Sequence, residues 1–255
     1  MVQLAHQVLK LSDGSRIGFV RVAGKLPEIL VVGGYGKSAL EKPLGPYVLK
    51  FALTHGQACT VLEFRGQGRS STATEGMTVP GMRADLTNAA QALGLHDCLG
   101  VGASLGAWAM LAAQQEQNRL LCKMIALAPA IDWDLTFFKP LSESGGLIVN
   151  GSGFMEARES GIRVSQAFFN GLDACRIRPA ELALEGRLII MHGDADPIAP
   201  ISRAQRLAVE VGGRLIVVPG GGHEVSALQS SSSRDVFAET CGAMLARAGN
   251  KDVGD

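Results

Sequence analysis

The sequence predicts an α/β protein, a mostly parallel twisted sheet with helices on both faces and a small cap insertion. Three observations carry this expectation. Uncharged apolar runs recur at residues 29–32, 58–62, 99–101, 124–127, 188–191 and 215–218, as expected of strands buried on both faces. Helical spacing fills several of the intervals between them, and such β-α alternation implies parallel strands joined by right-handed crossovers. Residues 131–180 break the rhythm: they hold no clear buried strand but six of the thirteen Phe, Trp and Tyr residues.

Taken in order, the chain opens on Ser12-Asp13-Gly14, turn residues between alternating runs at 8–11 and 16–22, which predicts a β-hairpin. The runs at 29–32 and 58–62 are the next strands, with a helical pattern ending near His55 between them. Leu86, Ala89, Ala90 and Leu93 share one helical face, begun by Pro80 and ended by Gly94. Residues 107–111 continue directly from the strand at 99–101 as a helix. The 50 residues at 131–180 are too long for an ordinary connection and are expected to form a cap over the sheet edge. Strands at 188–191 and 215–218 complete the sheet, and Ser230 to Ser233 is expected to be a loop and cap before a last helix at 236–246. A length of 255 residues suits one large domain with an insertion. Residues 1–130 and 181–255 are thus expected to form the core.

Composition narrows the function. Twenty-four basic residues balance 24 acidic ones, so no global field draws in nucleic acid or an anionic membrane. The apolar stretch around residues 99–113 is too short and too rich in Gly and Ser to span a bilayer. The first ten residues lack an apolar signal core or a small-residue cleavage site. Cys59, Cys98, Cys122, Cys175 and Cys241 are widely spaced and odd in number, against a disulfide framework or a zinc site. A reducing, cytoplasmic compartment is expected.

Gly102-Ala103-Ser104-Leu105-Gly106 matches G-x-S-x-G, a turn that thrusts a serine hydroxyl out between a strand and a helix. Roughly 0.3 matches would arise by chance in such a glycine-rich chain, but here the required strand enters and the required helix leaves. A serine needs a neutral imidazole to take its proton and a carboxylate to orient that imidazole. His6, His55 and His96 lie before the sheet, after a helix and at the wrong end of a strand. His192 is expected to brace a loop. His223 follows the last strand behind Gly220-Gly221-Gly222 and is the candidate base. Asp196, in Gly193-Asp194-Ala195-Asp196-Pro197, is the candidate acid. Asp194 is expected to brace the turn, with Asp132 and Asp134 as fallback acids. The backbone N–H groups of Leu105 and Tyr35, the latter on Val32-Gly33-Gly34-Tyr35-Gly36, are the candidate oxyanion donors. Arg65-Gly66-Gln67-Gly68-Arg69-Ser70 lacks a phosphate-loop lysine and reads as structural. No metal-ligand spacing or dinucleotide fingerprint calls for a metal or cofactor.

With elbow, acid and base in this order, the chain resembles the α/β-hydrolase superfamily over nearly its whole length. Residues 61–70 look like its D-x-R-G-H-G-x-S loop, with Glu63 and Gln67 in place of the Asp and His, and His192-Gly193-Asp194-Ala195-Asp196 looks like its H-G-x-x-D acid loop. Gly33 stands where many members carry the His of an H-G oxyanion loop. Gly34-Tyr35, the elbow through Trp108 and Ala128-Pro129-Ala130-Ile131-Asp132 are similar to a branch of small serine hydrolases that includes mitochondrial palmitoyl-protein thioesterase and acyl-glucuronide esterase. The resemblance implies small-molecule acyl esters or thioesters as substrates. Trp133, Phe137, Phe138, Phe154, Phe168 and Phe169 are expected to present apolar surface to the acyl chain. A small serine peptidase, a carbon–carbon bond hydrolase on the same triad, and a non-catalytic binding module on this fold are the alternatives. Oligomeric state is left open.

Overall fold

The computed structural model describes residues 4–36, 38–70, 74–117, 119–149 and 153–246. The opening hairpin pairs β1 (His6–Lys10) with β2 (Arg16–Val22), and the Asp13 carboxylate accepts the Ser15 N–H at 2.9 Å across the turn. There follow β3 (Lys25–Val32), α1 (Leu44–His55), β4 (Gln57–Glu63), α2 (Val79–Leu93), β5 (Cys98–Ala103), α3 (Leu105–Glu116) and β6 (Leu121–Leu127). After residues 131–180 come β10 (Leu188–Gly193), α5 (Ile201–Glu210), β11 (Arg214–Val218) and α6 (Ser231–Ala246), the labels β7 to β9 and α4 belonging to the intervening segment.

One eight-stranded sheet runs in the order β1-β2-β4-β3-β5-β6-β10-β11. Only the two pairings made by β2 are antiparallel. Five of the six apolar runs are buried on both faces as expected, whereas the run at 215–218 forms the edge strand β11, where Leu215 and Ile216 are half-buried and Val217 is exposed because no strand or helix covers that side fully. Ile29 and Val31 point toward α1 and α6, where Val48, Phe51, Phe237 and Cys241 pack. Leu30 and Val32 point the other way, toward Met82, Leu86 and Trp108 of α2 and α3.

The helix boundaries follow from local chemistry. Thr78 caps α2 by accepting the Gly81 N–H at 3.1 Å, and Gly94 closes it at φ +66°. The last helix starts earlier than the apolar pattern suggests: Ser230 Oγ accepts the Ser233 N–H at 3.0 Å, so Ser230 is the cap and the rest of the serine tract forms the first turn. No described helix is long and apolar enough to cross a membrane.

Residues 131–180 hold α4 (Lys139–Glu143) and a second, antiparallel sheet of β7 (Leu147–Val149), β8 (Phe154–Ala157) and β9 (Arg163–Ser165). These strands of three or four residues are too short for an apolar period to register in sequence. The segment does not enclose a separate core. Its Trp133, Phe138, Phe168 and Leu172 join the same buried cluster as α2 and α3, and Trp108 donates its indole N–H to the Cys175 carbonyl at 2.7 Å.

Two interactions fasten the segment. Phe168 is wholly buried and meets Trp133, Phe138 and Phe169, with Tyr35 of the loop after β3 edge-on at 6.5 Å. Arg176 binds Asp134 through two hydrogen bonds and Asp132 through a third at 3.0 Å, while Arg203 of α5 reaches Asp132 at 2.8 Å. Phe168→Ala is therefore expected to cost about 3–5 kcal/mol, measured by urea unfolding. A loss below about 1 kcal/mol would show that the segment does not depend on this ring.

Candidate active site

Ser104 sits between β5 and α3 at φ +52° and ψ −124°, a backbone conformation that costs a non-glycine residue on the order of 1–3 kcal/mol. Its surroundings hold it there. Its N–H donates to the Leu127 carbonyl at 2.9 Å, and its carbonyl accepts the Ala130 N–H at 3.2 Å. The motif glycines are required by close approach: a Cβ on Gly102 would lie 2.7 Å from Ala107 Cα, and one on Gly106 would overlap the Gly33 carbonyl oxygen.

The loops after β10 and β11 bring the two other candidates to this serine. Ser104 Oγ is 2.9 Å from His223 Nε2, and His223 Nδ1 is 2.8 Å from Asp196 Oδ2. A carboxylate only accepts, so Nδ1 carries the proton, and Nε2 is left to accept from the serine hydroxyl. Asp196 Oδ1 accepts the N–H groups of Ile198 and Ala199 at 2.8 and 3.0 Å. Burial pushes the Asp196 carboxyl up, but the His223 hydrogen bond and charge, with these two N–H bonds, outweigh it and hold it below the usual 3.8.

The remaining candidates fall elsewhere. Asp194 braces a neighbouring loop rather than its own turn, accepting the Gly220 N–H at 2.6 Å, and the turn-forming role belongs to Asp196. Asp132 and Asp134 are engaged by Arg176 and Arg203. His192 is not a loop brace. It lies within β10, wholly buried, with Nδ1 donating to the Gly193 carbonyl at 3.0 Å and burial lowering its pKa. His96 is exposed beside Asp97.

The loop after β3 passes directly against the elbow, with Gly34, Tyr35 and Leu105 all lining the cavity at Ser104. Gln67, the departure from the family loop, holds this arrangement: its Nε2 donates to the Gly34 carbonyl at 2.6 Å, and its Oε1 accepts the Phe64 N–H at 3.1 Å. Glu63, the other departure, is buried and accepts the Arg69 N–H, with His6 at 2.8 Å. Residues 65–70 are thus a brace for the site.

The cavity at Ser104 is small, about 150 Å³. Of the six aromatic residues expected to face substrate, it takes Trp133 alone. Phe137 lines a neighbouring cavity of about 440 Å³ with Leu141, Ala157 and Pro197, and Ile198 is a wall of both. Phe138 and Phe168 are buried in the aromatic cluster, Phe169 packs on both, and Phe154 carries the Arg163 guanidinium 4.1 Å above its ring. The expectation fails for Phe138, Phe168 and Phe169 because a 50-residue insertion needs rings to bury itself, and for Phe154 because its ring packs under Arg163 instead. Lys42, Ile162, Ile198 and Ser226 also line the Ser104 cavity. No short motif marks them, since four separate loops deliver them. Among the described residues no group of three or more His, Cys, Asp and Glu could hold a metal.

The alpha/beta hydrolase family model matches residues 29–240, a span that includes Ser104, Asp196 and His223. The chain belongs to the alpha/beta hydrolase family. Mitochondrial palmitoyl-protein thioesterase ABHD10 of Homo sapiens is 24% identical over 208 residues, 80% of this chain and 68% of that protein. In structure, the chain is similar to alpha/beta hydrolase domain-containing protein 10 from mouse, with a TM-score of 0.76 and 20% identity over 96% of this chain and 99% of that one. It is also similar to Est1E of Butyrivibrio proteoclasticus (TM-score 0.74, 16% identity, 94% and 99% covered) and to an esterase of Exiguobacterium antarcticum (TM-score 0.68, 17% identity, 95% and 100% covered). A protein named a thioesterase thus stands among the relatives in sequence, and the solved structures show the same fold.

The lowered pKa of Asp196 fixes the sign of a pH effect. A group whose folded pKa is depressed contributes stability above its unfolded value, and that contribution is lost as pH falls through the folded value. The stability difference between wild type and Asp196→Asn should therefore be constant above about pH 5 and shrink below the usual 3.8. Urea unfolding across that range measures it, and a difference independent of pH would contradict the assignment.

Proposed function

We propose that this protein is a serine carboxylesterase or thioesterase that works through an acyl-enzyme on Ser104. The hydrogen-bonded chain from Ser104 Oγ through His223 to Asp196 carries the reading. In the first step Ser104 Oγ attacks the substrate carbonyl while His223 Nε2 takes its proton. Asp196 keeps the proton of His223 on Nδ1 and balances the imidazolium that forms. The N–H groups of Leu105 and Tyr35 receive the developing oxyanion. The imidazolium then protonates the departing alkoxide or thiolate, and water, activated by the same imidazole, releases the acid.

The acyl chain leaves the small Ser104 cavity across Ile198 and enters the larger one beside Phe137, Leu141 and Pro140. Six of the nine residues lining that cavity are apolar, Thr136, Glu159 and Ser160 being the others, and such walls suit an acyl chain, each buried methylene contributing about 0.8 kcal/mol. The thioesterase and esterase names of the relatives support an acyl substrate. All five described cysteines are free, which fits a reducing compartment.

A fluorophosphonate probe should label Ser104, and Ser104→Ala should abolish labelling and lower ester turnover by on the order of 10⁴ to 10⁶. Undiminished turnover in that variant would defeat the mechanism, and an unlabelled wild type would favour a binding module. Asp196→Asn should lower kcat by about 10³ to 10⁴, while Asp194→Asn, which keeps an acceptor for Gly220, should cost far less. In Phe137→Ala, kcat/KM for long p-nitrophenyl esters and acyl-thioesters should fall relative to short ones while the melting temperature stays close to wild type. An unchanged chain-length profile would place the acyl site elsewhere.

A further inference from the structure

We propose that the Ser226 hydroxyl holds the water that releases the acyl group from Ser104, which makes Ser226 a further catalytic residue; this rests on the serine hydrolase reading above. After β11 the chain makes one short 3₁₀ helix, His223–Ala227. Such a helix has three residues per turn, so side chains three apart point the same way. His223 and Ser226 stand at that spacing, and both line the cavity at Ser104. The turn that aims the general base therefore aims a hydroxyl beside it.

Other polar side chains of this lining already have partners. Ser104 Oγ pairs with His223 Nε2 at 2.9 Å, Tyr35 Oη donates to the Arg163 carbonyl at 2.9 Å, and the Trp133 indole N–H donates to the Ile198 carbonyl at 3.1 Å. Ser226 is half-buried, and its hydroxyl has no hydrogen-bond partner among the described residues. A hydroxyl so placed, at the edge of a small cavity, makes its hydrogen bonds to what enters that cavity.

Deacylation brings a water there. The water oxygen bonds to the acyl carbonyl carbon while one of its protons passes to His223 Nε2. The bond from that carbon to Ser104 Oγ then breaks, and Oγ takes the proton back from the imidazolium as the acid leaves. The second hydrogen of the water needs an acceptor. The side chains of Leu105, Ile162 and Ile198 offer none, and the Lys42 ammonium only donates. Ser226 Oγ, on the same helical face as the base, accepts it and so turns a lone pair of the water toward the carbonyl.

Methanol separates this role from a purely structural one. It also deacylates Ser104, but its single O–H goes to His223, which leaves no hydrogen for Ser226 to accept. Wild type and variants turn over p-nitrophenyl butyrate with methanol at a fixed concentration, and methyl butyrate and butyrate are measured. Their ratio is set after the acyl-enzyme forms, whatever the rate of its formation. In Ser226→Ala the ratio of methyl butyrate to butyrate should rise about tenfold, equivalent to about 1.4 kcal/mol, the size of one hydrogen bond. Ser226→Thr should keep the wild-type ratio, and Ser226→Val, of the same shape without the hydroxyl, should shift it as Ser226→Ala does. A ratio unchanged in Ser226→Ala overturns the assignment. So does a ratio that rises in Ser226→Ala but not in Ser226→Val, which would reflect only room for the methyl group. Fluorophosphonate labelling of Ser104, which consumes no water, is read on the same samples. Labelled variants with the wild-type ratio remove only the role of Ser226, whereas an unlabelled wild type removes the hydrolase reading with it.

Discussion

The backbone of Ser104 is the constraint on which the rest of the site depends. A serine at φ +52° relaxes unless its neighbours over-determine its position. Here the end of β6 accepts its N–H and the loop after β6 donates to its carbonyl, and α3 begins at once behind it. Those bonds exist only because β5 lies between β3 and β6 in a parallel sheet. Glycine at 106 follows from the same geometry, because the loop after β3 runs so close that a methyl group would meet the Gly33 carbonyl.

Parallel strands then do the rest of the assembly. All of β3, β5, β6, β10 and β11 end at the same edge of the sheet, so the loops that leave them converge although they lie far apart in sequence. Single hydrogen bonds lock loop to loop: Gln67 holds the Gly34 carbonyl, and Asp194 holds the Gly220 N–H beside the His223 loop. Gln67 offers both a donor and an acceptor and uses both. It braces from a position where the family pattern carries His.

The inserted segment resolves a competition between stability and recognition. It is rich in aromatic side chains, yet most are committed to holding the segment against α2, α3 and Tyr35. The chemistry-facing surface is left to Trp133, aliphatic residues and Lys42. Asp132 and Asp134 are similarly committed, to Arg176 and Arg203. These partly buried pairs tie the two ends of the segment to each other and to α5.

The sequence by itself determined the α/β class, the opening hairpin, the strands of the parallel sheet and the placement of Ser104, Asp196 and His223 on three loops. Each leaves a local mark: an uncharged apolar run, a turn tripeptide, or glycines around a serine after a strand. Tertiary structure alone decided the second sheet at β7 to β9, the loop served by Asp194, the burial of His192, and the division of the aromatic residues between core and cavity. Strands of three or four residues show no period, and a hydrogen-bond partner tens of residues away leaves no trace in local pattern. A phenylalanine on the core side of an insertion also has the same sequence signature as one on the substrate side. Only the packing of the segment against α2 and α3 separates Phe168 from Trp133, and only the meeting of four loops puts Lys42 beside Ser104.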